Sequence, residues 1–367
     1  MKKSDFKKWL LCSLLMLVVM ALVVGCGGKS AADKTVSKTD TKVYKLKVAD
    51  AFPSTHFFTV NGLKKFMQLA EQKSNGRLVF EHYPGGQLGK QVDMLELVKN
   101  GVADIAFVGP SYVSGKLPLS NVFDLPGIYP DARVGAEAFL LLAQDVLYKE
   151  EYSKQKVRPL YAMAYNPNDL FYNRSDGSFI KKPSDLHGMR FRVPGVSAEM
   201  SISAMGGAPV KIIPQEMYEA AHRGTVDGLV LAFEALDQYK VQEIVKYATK
   251  GVNVTGWIGA YCINERAWSS LPKDLQQVLL DSGLEATRSL GDHVKKSGED
   301  YQKKYEKEAG MKVYTLTKAE QAEFVEATRN VVDNWVKTQE AKNLPAKKIL
   351  EATRAKVAEI EKNLLKQ

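Results

Sequence analysis

From Tyr44 onward, two hydrophobic periods alternate along the chain. Tyr44-Lys45-Leu46-Lys47-Val48 places apolar residues at every second position, as in a half-buried strand. The next apolar positions, Val60, Leu63, Phe66, Met67 and Ala70, follow a helical period, which predicts a helix capped by Ser54 or Thr55. Asn75-Gly76 closes it with a left-handed turn. Leu78-Val79-Phe80 reads as a second strand, Pro84-Gly85-Gly86 as a turn, and Met94, Leu95 and Val98 as one face of a helix that ends at Gly101. Asp104-Ile105-Ala106-Phe107-Val108 is apolar without alternation, the mark of a strand buried on both faces of a parallel sheet.

The same grammar returns later: strands at 189–193, 209–213 and 229–231, with a helix over 214–222 between them. Helix, Gly101-Val102-Ala103-Asp104, strand is matched by helix, Gly224-Thr225-Val226-Asp227, strand. A glycine that ends a helix and a short re-entry into a sheet, used once in each half, favour two similar α/β lobes over one large sheet. Strand-like runs at 161–165 and 257–263 are candidates for chain crossings between the lobes. Helical sequence rich in Ala, Leu, Glu, Lys and Gln fills 272–308, 318–337 and 345–365.

Composition adds little beyond excluding disorder: 367 residues, 45% hydrophobic and 25% charged, enough for two sizeable cores. The formal charge of +9 is concentrated at the start, with +3 in residues 1–25 and +2 in 27–42, leaving +4 from Val43 onward. That is too little to argue for nucleic acid. Lys2, Lys3, Lys7 and Lys8 precede an uncharged run, 9–24, that is too short to span a membrane and ends at Val23-Val24-Gly25-Cys26. This layout resembles a bacterial lipoprotein signal: residues 1–25 are removed, Cys26 carries lipid on its thiol, and the polar stretch 26–42 is a flexible tether. An uncleaved anchor, or a plain leader in which Cys26 is incidental, is the alternative. Under the lipoprotein reading Cys12 leaves with the signal and Cys262 is the remaining thiol, so no internal disulfide forms.

Catalytic motifs do not emerge. There is no Gly-x-Ser-x-Gly, Walker loop, dinucleotide fingerprint or His-Glu-x-x-His, and the five histidines have no metal-pair spacing. The expectation is therefore a protein that binds rather than reacts, with no cofactor and no metal.

The most informative segment is Pro183-Ser184-Asp185-Leu186-His187-Gly188-Met189-Arg190-Phe191-Arg192-Val193-Pro194-Gly195. In a strand Arg190 and Arg192 share one face, and a strand end followed by Pro-Gly is where α/β proteins place ligand crevices. A guanidinium there can grip a carboxylate through two parallel hydrogen bonds. Taken in order, Leu46-Lys47-Val48-Ala49-Asp50, Tyr83-Pro84-Gly85-Gly86-Gln87-Leu88-Gly89, Gly101-Val102-Ala103-Asp104-Ile105, Gly188-Met189-Arg190-Phe191-Arg192-Val193-Pro194, Gly224-Thr225-Val226-Asp227-Gly228 and Asn264-Glu265-Arg266-Ala267-Trp268 resemble the solute-binding proteins of tripartite ATP-independent periplasmic (TRAP) transporters, of the dicarboxylate-receptor type. The resemblance covers about residues 43–340.

The resemblance implies an α/β, two-lobed periplasmic-binding-protein-like fold of class II type with a long helix spanning both lobes. Lobe I would comprise 43–165 with part of 255–310 returning to it, and lobe II 166–254. Residues 255–367 would supply a crossing strand, the long helix and C-terminal helices. It further implies a small organic acid as ligand, delivery to a membrane permease, and residence on the outer face of the cytoplasmic membrane. A secreted enzyme on the same lobes, a lipid-anchored sensory protein and a binding protein for an ATP-driven importer are the alternatives.

On this resemblance Arg192, not Arg190, holds the ligand carboxylate. The chain departs from its relatives at two points. Where many carry a second cleft arginine, Asn168 stands nearest, with Arg174 outside; and where an asparagine would meet the ligand after Asp227-Gly228, Leu231 stands instead. One cation and one amide fewer predict a less charged, more apolar ligand, a monocarboxylate with an apolar or hydroxylated chain. Phe171, Phe233, Tyr112 and Trp257 are candidate walls. Glu234 is either a contact for a ligand hydroxyl or cation, or an exposed helix start.

Overall fold

The computed structural model describes residues 42–366. The predicted leader, Cys26 with its expected lipid, and almost all of the predicted tether lie outside the described residues.

Two mixed sheets organise the chain. In the first lobe, β1 (Tyr44–Ala49), β2 (Leu78–Tyr83), β3 (Ile105–Val108), β4 (Val157–Ala164) and β10 (Ile258–Asn264) run in the order β2-β1-β3-β10-β4. The first three are parallel, and β10 is antiparallel to both β3 and β4. In the second lobe, β5 (Asp169–Tyr172), β6 (Arg190–Val193), β7 (Ala208–Lys211), β8 (Gly228–Leu231), β9 (Tyr247–Lys250) and β11 (Lys312–Thr315) run β11-β9-β5-β8-β6-β7. Strands β3 and β8, which read as unbroken apolar runs, are buried at every position, as central strands covered on both faces must be.

The repeated Gly-x-x-Asp turn does the same work in each lobe. Gly101 and Gly224 both take positive φ, 77° and 67°, which costs glycine no steric strain. Asp104 then accepts a hydrogen bond from the Lys47 amide and donates its own amide to the Lys47 carbonyl. Asp227 makes the same pair of bonds with Arg190. In each lobe the aspartate stitches the returning chain to a parallel neighbour.

The predicted first helix begins differently. His56, not Ser54 or Thr55, caps it, its ring Nδ1 accepting from the Phe58 amide at 3.2 Å. The π-helical turn Thr59–Leu63 then inserts an extra residue per turn. Val60 is thereby rotated outward, 46% exposed, while Leu63, Phe66 and Ala70 stay inside. Strands β5, β9 and β11 were not predicted, because such short segments carry no clear period, nor was the helix Ala132–Gln144, which is buried on nearly every side and so lacks a polar face. As a result, the stretch from 255 onward gives one strand, β10, to the first sheet and another, β11, to the second.

The helix Lys273–Glu308, 36 residues and about 54 Å long, packs on β4 and the helix Ala132–Gln144 in the first lobe and reaches β11 in the second. Gly283, Gly291 and Gly298 form one stripe on it. A Cβ at Gly283 would lie 1.8 Å from the Leu160 carbonyl oxygen, and one at Gly291 2.7 Å from Arg133 Cα. Gly283 and Gly291 let the helix lie directly against backbone, and Gly298 makes room for the side chains of Asn166 and Glu234.

The chain crosses between sheets from β4 to β5 and back from β9 to β10. The crossings touch each other: the Asn168 amide donates to the Thr255 carbonyl, and the Val254 amide to the Asn168 carbonyl, both at 2.9 Å. Asp169 Oδ1 accepts from the amides of Gly251 and Val252 at 2.8 and 3.0 Å, holding a turn in which Gly251 and Asn253 have positive φ. Glu234 Oε1 accepts from the Asn166 amide at 2.9 Å, and the Asn166 side chain donates to the Val294 carbonyl of the long helix.

Buried carboxyls therefore cluster near the crossings, with one consequence for pH. Burial pushes Asp169 up to about 6 and Asp124 and Glu234 each up to about 7. In the unfolded chain each releases its proton near pH 4. Between those values the folded state holds more protons, so stability is greatest below about pH 4 as far as these groups are concerned and falls as pH rises toward 7. The expected result is a thermal midpoint several degrees higher at pH 5 than at pH 8, with a shallower slope in Glu234→Gln. A midpoint that rises over this range would contradict it.

Candidate functional site

The pleat of the second sheet decides where Arg192 points. Phe191 and Val193 face the core behind the sheet with Leu170, Tyr172 and Val230. Arg192, paired with Leu229 in register, faces the other way, toward the first lobe. The residue is 3% exposed. Arg190, one pleat earlier, lies outside and is held by Asp227 through Nε at 3.1 Å and Nη2 at 2.8 Å.

Among the described residues no such carboxylate meets Arg192. Its hydrogen bonds are to two backbone carbonyls, Ile212 from Nε at 3.0 Å and Val230 from Nη1 at 3.4 Å. Burial lowers its pKa, and the phenols of Tyr112 and Tyr239 oppose that shift. A guanidinium remains charged in such surroundings, so a buried positive charge is met, among the described residues, by carbonyl dipoles and no carboxylate.

The surrounding cavity is lined by Arg192, Asn168, Tyr112, Leu231 and Trp257, together with Phe52, Tyr165, Pro194, Pro214 and Tyr239. Trp257 is fixed on both sides: it stacks on Phe58 at 5.6 Å, and its indole Nε1 donates to Tyr112 Oη at 3.3 Å. Free space amounts to about 30 Å³, room for one water molecule, so an organic ligand enters only if the lobes part. Outward, Phe52, Pro214 and Tyr239 also border a wide open cavity of about 770 Å³ with His56, Gln91 and Lys240 at its margin. This is the mouth of the cleft.

The sequence profile of the family described as bacterial extracellular solute-binding protein, family 7 (DctP), matches residues 51–339. The chain belongs to this family. Among relatives, the C4-dicarboxylate-binding periplasmic protein DctP of Rhodobacter capsulatus is 28% identical over 292 residues, 78% of this chain and 85% of that protein. The 2,3-diketo-L-gulonate-binding periplasmic protein YiaO of Escherichia coli is 27% identical over 281 residues, 75% of this chain and 82% of that protein. Among solved structures, a TRAP solute-binding protein from Rhodoferax ferrireducens in complex with benzoate superposes with a TM-score of 0.77 at 23% identity, covering 88% of this chain and all of that one. A marine metagenome TRAP solute-binding protein with 3-hydroxybenzoate superposes with a TM-score of 0.77 at 21% identity, covering 87% and 99%. The chain thus has the two-lobed α/β fold of a TRAP solute receptor.

Within this family-7 receptor, five of the eight sequence-derived site residues meet around one cavity: Arg192, Asn168, Tyr112, Leu231 and Trp257. Three do not. Phe171 lies opposite Leu229 on the same face as Arg192, one pleat further along than Leu231, and packs edge-on against Phe233 at 4.8 Å without bordering the cavity. Glu234 is no exposed helix start: it is 1% exposed and bonded to the crossing at Asn166. It does not border the Arg192 cavity. Phe52, Tyr165, Pro214 and Tyr239 were missed. Tyr239 ends a short 3-10 turn followed by Lys240 in the left-handed region, a loop without period.

Proposed function

We propose that this receptor binds a monocarboxylate with an apolar or aromatic body, its carboxylate on Arg192 and its body between Trp257, Phe52 and Leu231. The observation that carries the reading is a buried guanidinium with backbone carbonyls but no carboxylate for partners. An arriving carboxylate supplies the missing charge, and the fork of the guanidinium suits two parallel bonds. Asn168 offers an amide where a second arginine would serve a dicarboxylate, and Leu231 removes a further polar contact. The phenols of Tyr112 and Tyr239, both facing Arg192 electrostatically, suit a ring or chain hydroxyl. Benzoate and 3-hydroxybenzoate in two structural relatives are of this class.

Residues from both lobes would contact the acid, so it stabilises the closed arrangement over the open one. Lipidation at Cys26 would hold the receptor beside the membrane, and the released acid would pass to a TRAP-type permease. A thermal-shift series separates the ligand classes. Benzoate at about 100 times its dissociation constant should stabilise by about 2.7 kcal/mol, with succinate giving little. A larger shift with succinate than with any monocarboxylate would overturn the assignment of ligand class.

A further inference from the structure

Tyr129 is buried and does not border the Arg192 cavity. Its ring lies in a slot made by two glycines. A Cβ at Gly135, on the helix Ala132–Gln144, would fall 2.7 Å from Tyr129 Cδ2, and one at Gly256, on the returning crossing, 2.6 Å from Tyr129 Cε1. A side chain at either position would close the slot.

The slot delivers the phenol to the point where both crossings leave the first sheet. Tyr129 Oη accepts from the Trp257 amide at 2.8 Å, and its own proton lies between the carbonyls of Trp257 at 3.2 Å and Tyr165 at 3.3 Å. The Tyr165 amide in turn donates to the Trp257 carbonyl at 3.2 Å. Tyr165 directly follows β4 and Trp257 directly precedes β10, so one hydroxyl joins the outgoing strand to the returning one.

Both joined residues are walls of the Arg192 cavity, their rings 5.1 Å apart. They stand at strand ends, where the ladder no longer holds the chain on both sides and where it must bend when the lobes part. Tyr129 belongs to the first lobe, so its bonds keep these two walls with that lobe while the second one swings. Rings already in place spare an arriving ligand the cost of ordering them, and each side chain that must be ordered on binding weakens affinity by about two- to tenfold.

We propose that Tyr129 is a positioning residue for the acid site: its phenol fixes the backbone of Tyr165 and Trp257 and holds their rings ready on the first lobe, without touching the acid. The effect on affinity rests on the reading of the Arg192 cavity as the acid site; the effect on Trp257 does not.

Tyr129→Phe leaves the ring in its slot and removes only the hydroxyl. Tyr152→Phe is the control for general loosening: it removes another buried phenol of the first lobe, one that accepts from Ser120 Oγ at 3.2 Å and does not border the cavity. The indole N–H resonances of the ligand-free chains are followed by NMR, those of Trp257, Trp268 and Trp335 being assigned by their loss in Trp257→Phe, Trp268→Phe and Trp335→Phe. Benzoate affinity is measured on the same variants by isothermal titration calorimetry. The expected result is that Tyr129→Phe shifts or broadens the Trp257 signal, leaves those of Trp268 and Trp335 in place and weakens benzoate binding about tenfold, whereas Tyr152→Phe does neither. An unmoved Trp257 signal, an equal change at all three indoles, or an unchanged benzoate affinity in Tyr129→Phe would overturn the proposal. A parent chain that does not bind benzoate would overturn the acid reading and the claim about affinity with it, and the Trp257 signal would still decide whether Tyr129 holds that wall.

Discussion

Arg192→Ala will bind benzoate about 2–5 kcal/mol more weakly than the parent chain, a loss of roughly 30-fold to several thousand-fold, measured by isothermal titration calorimetry. The ligand carboxylate would be buried without its cation, and nothing else in the cavity carries positive charge. The same substitution should leave folding intact. In the ligand-free chain the guanidinium is desolvated and meets only the carbonyls of Ile212 and Val230, so its removal relieves a buried charge rather than breaking an ion pair. The thermal midpoint without ligand will therefore be unchanged or higher, while the benzoate-induced rise disappears. Arg192→Lys will recover part of the affinity, because an ammonium restores charge but not the planar fork. Unchanged benzoate affinity in Arg192→Ala would remove Arg192 from the site.

Gly283→Val will destabilise the fold by about 3 kcal/mol or more, a large fraction of an ordinary stability. The new Cβ would stand 1.8 Å from the carbonyl oxygen of Leu160, a backbone atom of β4 that cannot rotate away. The helix Lys273–Glu308 must lift from the sheet, and its contacts with β4 and the helix Ala132–Gln144 loosen together. Ser282→Ala, one residue earlier, is the control: it removes a hydroxyl that has no hydrogen-bond partner and should cost little. Urea unfolding of the two variants distinguishes them. Equal midpoints would mean that the helix has slack that its packing denies.

How much of this was legible beforehand follows from the physics of each element. Strands buried on both faces, such as β3 and β8, show as apolar runs, and the long C-terminal helices show by composition. β9 (Tyr-Ala-Thr-Lys) and β11 (Lys-Val-Tyr-Thr) are four residues each, and their pairing is settled by tertiary contact rather than local pattern. Arg192 was singled out by the resemblance to a family, since a strand end followed by Pro-Gly leaves Arg190 and Arg192 equivalent on one face; the structure separates them, burying Arg192 and leaving Arg190 on Asp227. The aromatic walls were not legible, since Phe171 and Trp257 are equivalent as residue types. Only the register Phe171 with Leu229, and Asp169 with Leu231, reveals that the cleft ends at Leu231 and that Phe171 sits one pleat further along. Glu234 failed as a surface residue for a related reason: its neighbour across the crossing, Asn166, is 68 residues away in sequence.

The proposed role of the Arg192 guanidinium is to receive the carboxylate of an acid held between the lobes. A crystal structure of the receptor grown with benzoate tests it most directly. Benzoate is expected in the Arg192 cavity, both carboxylate oxygens about 2.7–2.9 Å from guanidinium nitrogens and the ring against Trp257. Benzoate ordered elsewhere, with Arg192 still bonded only to the Ile212 and Val230 carbonyls, would contradict it.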